Sequence, residues 1–155
     1  MITDDLLIIL SDGRFHSGEV IAHQLNTTRA SIWKHIKQLR SLGADIYSVK
    51  GKGYRIPGGL ELLDHAKLTQ DLETFTLPEN IHVVTSIAST NQFLLNQPSS
   101  SSPQICVAEY QSSGRGRLGR NWHSPFARNI YLSMRQTLPL PIDALSGLSL
   151  AVGCR

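Results

Sequence analysis

Little in this sequence suggests redox or metal chemistry. Its two cysteines, Cys106 and Cys154, are far apart and match no metal-ligand or redox spacing, so each reads as a small buried apolar residue rather than a working thiol. The six histidines, at 16, 23, 35, 65, 82 and 123, form no H-E-x-x-H or similar arrangement, and no protein-only metal site is expected. No apolar run reaches the ~18 residues of a membrane span, and the opening MITDDLL lacks the basic start of a secretory signal. A cytosolic protein without membrane contact is expected. Acidic residues are scarce in two stretches: none occurs between Glu109 and Asp143, and Asp45 alone lies between Arg29 and Arg55.

The first of these acid-poor stretches contains Gln111 to Trp122, QSSGRGRLGRNW, with Arg115, Arg117 and Arg120 set among Gly114, Gly116 and Gly119. Glycine lets the backbone approach a ligand closely, and arginine presents a planar fork of donors suited to phosphate or carboxylate. The loop is built to close on an anion. Its letters also satisfy G-x-G-x-x-G, but a dinucleotide fold needs a helix opening at the end of the loop and an acid about 20 residues later. Asn121 to Phe126 is no helix start, and the acid is absent. An arginine-glycine RNA-binding segment is the other reading, yet those are long and repetitive, whereas this is one short island.

The second acid-poor stretch holds Arg29, Lys34, Lys37, Arg40, Lys50, Lys52 and Arg55, a local excess of six positive charges that suits a polyanion. Leu6, Leu7, Ile9 and Leu10 have helical spacing; Ser17 caps a second short helix, and the threonines of Asn26-Thr27-Thr28 cap a third that runs to Leu42 and closes at Gly43. This is the helix-turn-helix pattern. Thr28, Arg29 and Ser31 are placed to reach base edges, Lys34 and Lys37 to reach phosphates. Two short strands, Ile46 to Val49 and Tyr54 to Ile56, flank Lys50-Gly51-Lys52-Gly53 and form a wing whose Lys50 and Lys52 lie along the backbone. Any one lysine reads as a solvated charge; helix order, hairpin and clustering together point to DNA.

Apolar content of 41% with 17% charge is ordinary for a globular chain, and 155 residues suffice for one average domain or two small ones. Pro57-Gly58-Gly59 marks a boundary, dividing the chain into a DNA-binding domain (1–59), a linking helix from Leu60 to Leu72 within 60–76, and a second domain (77–155). In that domain strands are expected at Ile81 to Val84, Gln104 to Glu109 and Asn129 to Gln136, and an apolar helix from Ile142 to Cys154. Ser89-Thr90-Asn91 reads either as a helix cap or as a cluster of hydroxyls and amide for a small neutral polar ligand.

FHSGE at 15–19, KHIKQLRSLG closing the third helix, GKGY at 51–54, STNQ at 89–92, AEYQSSGRGRLGRNWHSPF at 108–126 and NIYLSM at 129–134 together resemble the bacterial bifunctional biotin-protein ligases and biotin-operon repressors. The resemblance implies an α+β fold, a winged helix-turn-helix followed by the first part of a class II synthetase-like α/β catalytic domain. It implies formation of biotinyl-5′-adenylate from biotin and ATP-Mg2+, then transfer to a lysine of the biotin carboxyl carrier protein. The adenylate-bound homodimer is implied to bind biotin operator DNA. By this resemblance Ser89, Thr90, Asn91, Gln111, Gly114, Arg115, Gly116 and Arg117 bind biotin. Arg117, Arg120 and Trp122 hold the adenylate, with Arg117 the catalytic residue. The loop is expected to order on ligand binding and to pack at the subunit interface.

Family members continue into a Lys-Trp-Pro-Asn-Asp segment and a small β-barrel that residues 1–155 do not contain. The chain alone is therefore expected to be a poor ligase with exposed apolar surface. Action as a DNA-binding module only is the alternative, and a lipoate-type ligase a third reading, against which the loop and the winged helix both argue.

Overall fold

The computed structural model describes residues 2–71, 80–116, 118, 120, 122–145, 147 and 148. Helix α1 (Ile2–Leu10) buries Leu6, Leu7 and Leu10 and carries Asp4 and Asp5 in its first turn, where negative charge complements the helix dipole. Helix α2 (Gly18–Gln24) begins at Ser17, whose hydroxyl accepts from the Glu19 N–H at 3.3 Å. Helix α3 (Arg29–Ser41) begins at Thr28, which accepts from the Ser31 N–H at 3.1 Å, and its apolar face, Ile32, Ile36 and Leu39, is buried. Gly43, at φ +94°, ends it as expected.

The wing consists of β1 (Tyr47–Val49) and β2 (Gly53–Arg55), paired antiparallel with Tyr47 opposite Arg55 and Val49 opposite Gly53. His16 joins it as a third, one-residue strand, donating to the Tyr54 carbonyl at 2.8 Å and accepting from the Tyr54 N–H at 2.9 Å. Gly53 sits at φ +101°, and a Cβ there would overlap the His16 carbonyl. No other residue type fits at that crossing.

The connection differs from its predicted form. Helix α4 spans only His65–Asp71, and residues 60–64 are neither helix nor strand. Leu60 N–H donates to the Ser11 carbonyl at 2.9 Å and Leu63 N–H to Glu109 Oε1 at 2.5 Å. Leu60 and Leu62 pack on the N-terminal core, a spacing of two that belongs to extended chain. Asp64 starts the helix by accepting from the Ala66 and Lys67 N–H groups. Residues 72–76 lie outside the described residues.

The second sheet has the order β3 (Asn80–Val84), β4 (Gln104–Ala108), β5 (Tyr131–Arg135). β3 and β4 are parallel, with Ile81 opposite Ile105; β4 and β5 are antiparallel, with Cys106 opposite Ser133. Helix α5 (Thr90–Leu95) lies in the parallel crossover, packed on β4 and β5. Arg135 donates to the Leu94 and Gln97 carbonyls at 2.9 and 2.8 Å, satisfying the end of that helix. Cys106 is fully buried, and desolvation raises its thiol pKa, in keeping with an apolar role. Beyond Pro141 a 3-10 turn, Ile142–Leu145, stands where an α-helix was expected to begin; such turns commonly open helices, and 149–155 lie outside the described residues. No helix among the described residues is long and apolar enough to cross a membrane.

One side chain crosses the expected boundary. Phe126, 3% exposed, belongs to the apolar core of the helix-turn-helix unit, and Tyr110 and Ala127 pack against that core. The segment around it is pinned from both sides: Ala127 N–H donates to the Glu109 carbonyl at 2.8 Å, Tyr131 hydroxyl to the Pro125 carbonyl at 2.8 Å. Arg128 reaches Asp45 at 3.8 Å.

Candidate ligand site and nucleic-acid interface

The chain past β3 runs beside the chain past β4. Ile87 N–H donates to the Tyr110 carbonyl, and Ser112 and Ser113 N–H groups donate to the Ile87 and Ala88 carbonyls, at 2.8 to 3.1 Å. This parallel extension brings Ser89-Thr90-Asn91 against Gln111 to Gly114, beyond the carboxyl ends of two parallel strands. Ligands bind in that position on open α/β sheets.

Thr90 is the centre of a polar cluster. It is 2% exposed, and Gln111 Oε1 accepts from both its backbone N–H at 2.8 Å and its hydroxyl at 3.1 Å. Ser133 Oγ lies 2.8 Å from Thr90 Oγ1. With Thr90 donating to Gln111, Ser133 donates to Thr90, so the three form a directed chain from β5 to the loop. Ser89 is the α5 cap, accepting from Gln92 N–H at 3.4 Å, so the capping alternative holds for Ser89 and not for Thr90. Asn91, itself exposed in the first turn of α5, lines a recess of about 470 Å³ with Ser133 and Met134.

The arginine-glycine loop folds back on itself. Gly116 N–H donates to the Arg120 carbonyl at 3.1 Å, and a Cβ on Gly116 would lie 2.8 Å from that oxygen. A Cβ on Gly114 would lie 2.7 Å from Trp122 Cδ1 and 3.5 Å from Gln111 Nε2. Glycine thus lets the indole and the Gln111 amide both approach bare backbone. Arg115 and Arg120 are exposed, as is Trp122 on its outer side. Arg117, the expected catalytic arginine, lies outside the described residues.

The structure therefore brings together Thr90, Gln111, Gly114 and Trp122 and leaves Arg115 and Arg120 on the loop's surface. Ser133 was missed by the sequence reading. The signal was present: in the alternating strand it shares a face with the buried Tyr131, and a hydroxyl on such a face needs a partner. Glu109 was missed as well. It is 6% exposed, desolvation raises its carboxyl pKa, and the Leu63 N–H bond pulls the other way. It lines a cavity of about 770 Å³ between α1, residues 58–67 and the ends of β3 and β4.

On the N-terminal unit, Arg29, Lys34 and Lys37 are exposed on α3, Ser31 is half-buried, and Thr28 is exposed while its oxygen serves as the cap. Lys50 and Lys52 are exposed at the wing tip. Phe15 was not singled out from sequence, yet it carries two cations over its ring, Lys52 Nζ at 5.9 Å and the Arg55 guanidinium at 5.2 Å. Arg40 is spent on structure, its Nε donating to the Ile46 carbonyl at 2.7 Å.

A winged helix-turn-helix is thus joined to a mixed sheet that carries a buried hydroxyl–amide cluster and an arginine-glycine loop. Residues 3–55 match the HTH domain family, and residues 83–148 match the Biotin/lipoate A/B protein ligase family. The chain is 46% identical over 149 residues to the bifunctional ligase/repressor BirA of Salmonella typhimurium, covering 96% of this chain and 45% of that protein. It is 43% identical to the Escherichia coli protein of the same name, with the same coverage. Over 77 residues it is 36% identical to a biotin acetyl-CoA-carboxylase ligase of Mycobacterium tuberculosis, covering 47% of this chain and 29% of that protein. The chain is thus similar over nearly its whole length to bifunctional ligase/repressors, and it spans about 45% of the length of the BirA relatives named here.

Proposed function

We propose that the chain carries the biotin-recognition cluster of a biotin-protein ligase and the operator-binding head of a biotin-responsive repressor. In this reading residues 1–59 bind DNA, 60–76 connect, and 77–155 form part of the ligase domain. The observation that carries it is the Ser133–Thr90–Gln111 chain of hydrogen bonds beside the arginine-glycine loop, in one polypeptide with a winged helix. Biotin's ureido ring is neutral and polar, which suits the cluster. Its carboxylate and the adenylate phosphate are anionic, which suits Arg115, Arg117 and Arg120. A hydrogen bond to a charged group contributes about 1.5 to 3 kcal/mol.

The reaction proposed is attack of the biotin carboxylate on the α-phosphate of ATP, with Mg2+ arriving on the nucleotide and pyrophosphate leaving. Transfer to a carrier-protein lysine follows. Arg117 holds the adenylate, and Trp122 offers the adenine an aromatic wall. Adenylate binding orders the loop and favours a homodimer, whose two heads read operator DNA in the cytosol.

Calorimetric titration with biotin, alone and with ATP-Mg2+, tests the ligand half. Saturable biotin binding that is weakened at least ten-fold by Gln111→Ala is expected. Heat of dilution alone at millimolar biotin would remove the ligand site from this chain.

A further inference from the structure

The free side of α3 holds one feature that the DNA-binding reading does not use. Trp33 is 57% exposed, an uncommon state for so large an apolar side chain. It stands one turn from Arg29 on one side and Lys37 on the other, and Lys37 Nζ lies 5.5 Å from its ring centroid. The ammonium occupies one face of the indole. The residue otherwise stays more than half exposed.

We propose that Trp33 is a specificity-determining residue that reads thymine in the major groove; the proposal rests on the DNA-binding reading of α3. Surrounding charge selects the partner. Arg29, Lys34 and Lys37 are all exposed on the same helix, so the patch repels a second copy of itself and attracts a polyanion. The indole selects the base. Its nitrogen donates and cannot accept, so it suits an acceptor and opposes the amino groups of adenine and cytosine. Thymine offers the O4 acceptor together with the C5 methyl, the one apolar group among the base edges. Lys37 fixes the indole from behind and remains free to meet a phosphate.

The test is selection from a randomised duplex pool by the full chain, wild type and Trp33→Ala, followed by affinity measurement over a range of salt. Wild type should enrich a motif. Trp33→Ala should lose the preference for thymine at one position per half-site and bind about ten-fold more weakly. Its log K against log [salt] slope should be unchanged, because no phosphate contact is lost, whereas Lys34→Ala should reduce the slope by about one. Replacing that thymine by uracil removes only the methyl; it should cost wild type about four-fold, the factor for one buried methyl-sized group, and Trp33→Ala nothing. Trp33→Gln, a helix-compatible second variant, should show the same loss of thymine preference, and circular dichroism establishes that each variant is folded. An unchanged motif in either folded variant overturns the role of Trp33 and leaves the DNA reading standing. Absence of any duplex binding by wild type overturns both.

Discussion

Thr90 holds the carboxamide oxygen of Gln111 twice, through its backbone N–H at 2.8 Å and its hydroxyl at 3.1 Å. The same hydroxyl meets Ser133 at 2.8 Å. Thr90→Val keeps the volume and removes the hydroxyl, leaving Ser133 and part of the Gln111 oxygen without their partner. A buried polar group left unpaired costs about 1 to 3 kcal/mol. Thermal denaturation should register that loss, and biotin titration should show weaker binding; a variant equal to wild type in both would remove Thr90 from the centre of the site.

Phe126 fills the core of the helix-turn-helix unit from a position 70 residues past Ile56, the last residue of that core in the N-terminal segment. Phe126→Ala should destabilise the N-terminal unit by about 3 to 5 kcal/mol, the usual range for emptying a buried phenylalanine site. Urea denaturation followed by far-ultraviolet circular dichroism reads this directly. A change under 1 kcal/mol would show that the unit is complete without Phe126.

Gly53 passes so close to the His16 carbonyl that no side chain fits, and its φ of +101° is unfavourable for any L-residue. Gly53→Ala should therefore break the pairing of Tyr54 with His16 and displace the wing. Amide exchange at Tyr54 should quicken, and duplex affinity should fall in step with it. Slow Tyr54 exchange retained in the variant would contradict the tight crossing.

Burial raises the Glu109 carboxyl pKa, so the folded state favours the protonated form. Below the ordinary glutamate range, about pH 4.3, the folded and unfolded chains both carry the proton and the penalty is absent. As pH rises through the raised folded value, the folded state binds more protons than the unfolded, and stability falls. Glu109→Gln keeps an oxygen for the Leu63 N–H and removes this charge. Its melting temperature should exceed that of wild type at pH 7, with the difference closing towards pH 4. A constant difference across that range would assign the effect to packing instead.

Local physics made some of this legible in advance. The caps at Ser17 and Thr28, the Ile32-Ile36-Leu39 face and the glycine at 43 define the helix-turn-helix because each acts within four residues of its partner. The lysine-glycine tip fixes the wing in the same way. Residues 60–64 misled because their leucines fit a helix stripe when counted alone, whereas bonds to Ser11 and Glu109, both distant in sequence, hold them out of a helix. Thr90, Gln111 and Trp122 follow from the family resemblance, but the link through Ser133 depended on the β4–β5 register, with Cys106 opposite Ser133. Phe126 gave no sequence sign of its destination, since an apolar residue after Pro125 specifies burial and not against what.

The placement of Phe126 also bears on how such proteins can be recombined. Exchanging the N-terminal unit between two relatives by cutting at Pro57 to Gly59 would leave the incoming unit facing a phenylalanine, and an Arg128 partner for Asp45, shaped for the unit it replaced. A graft that keeps its native packing has to carry residues 124–128 along with the first 59, as one discontinuous piece.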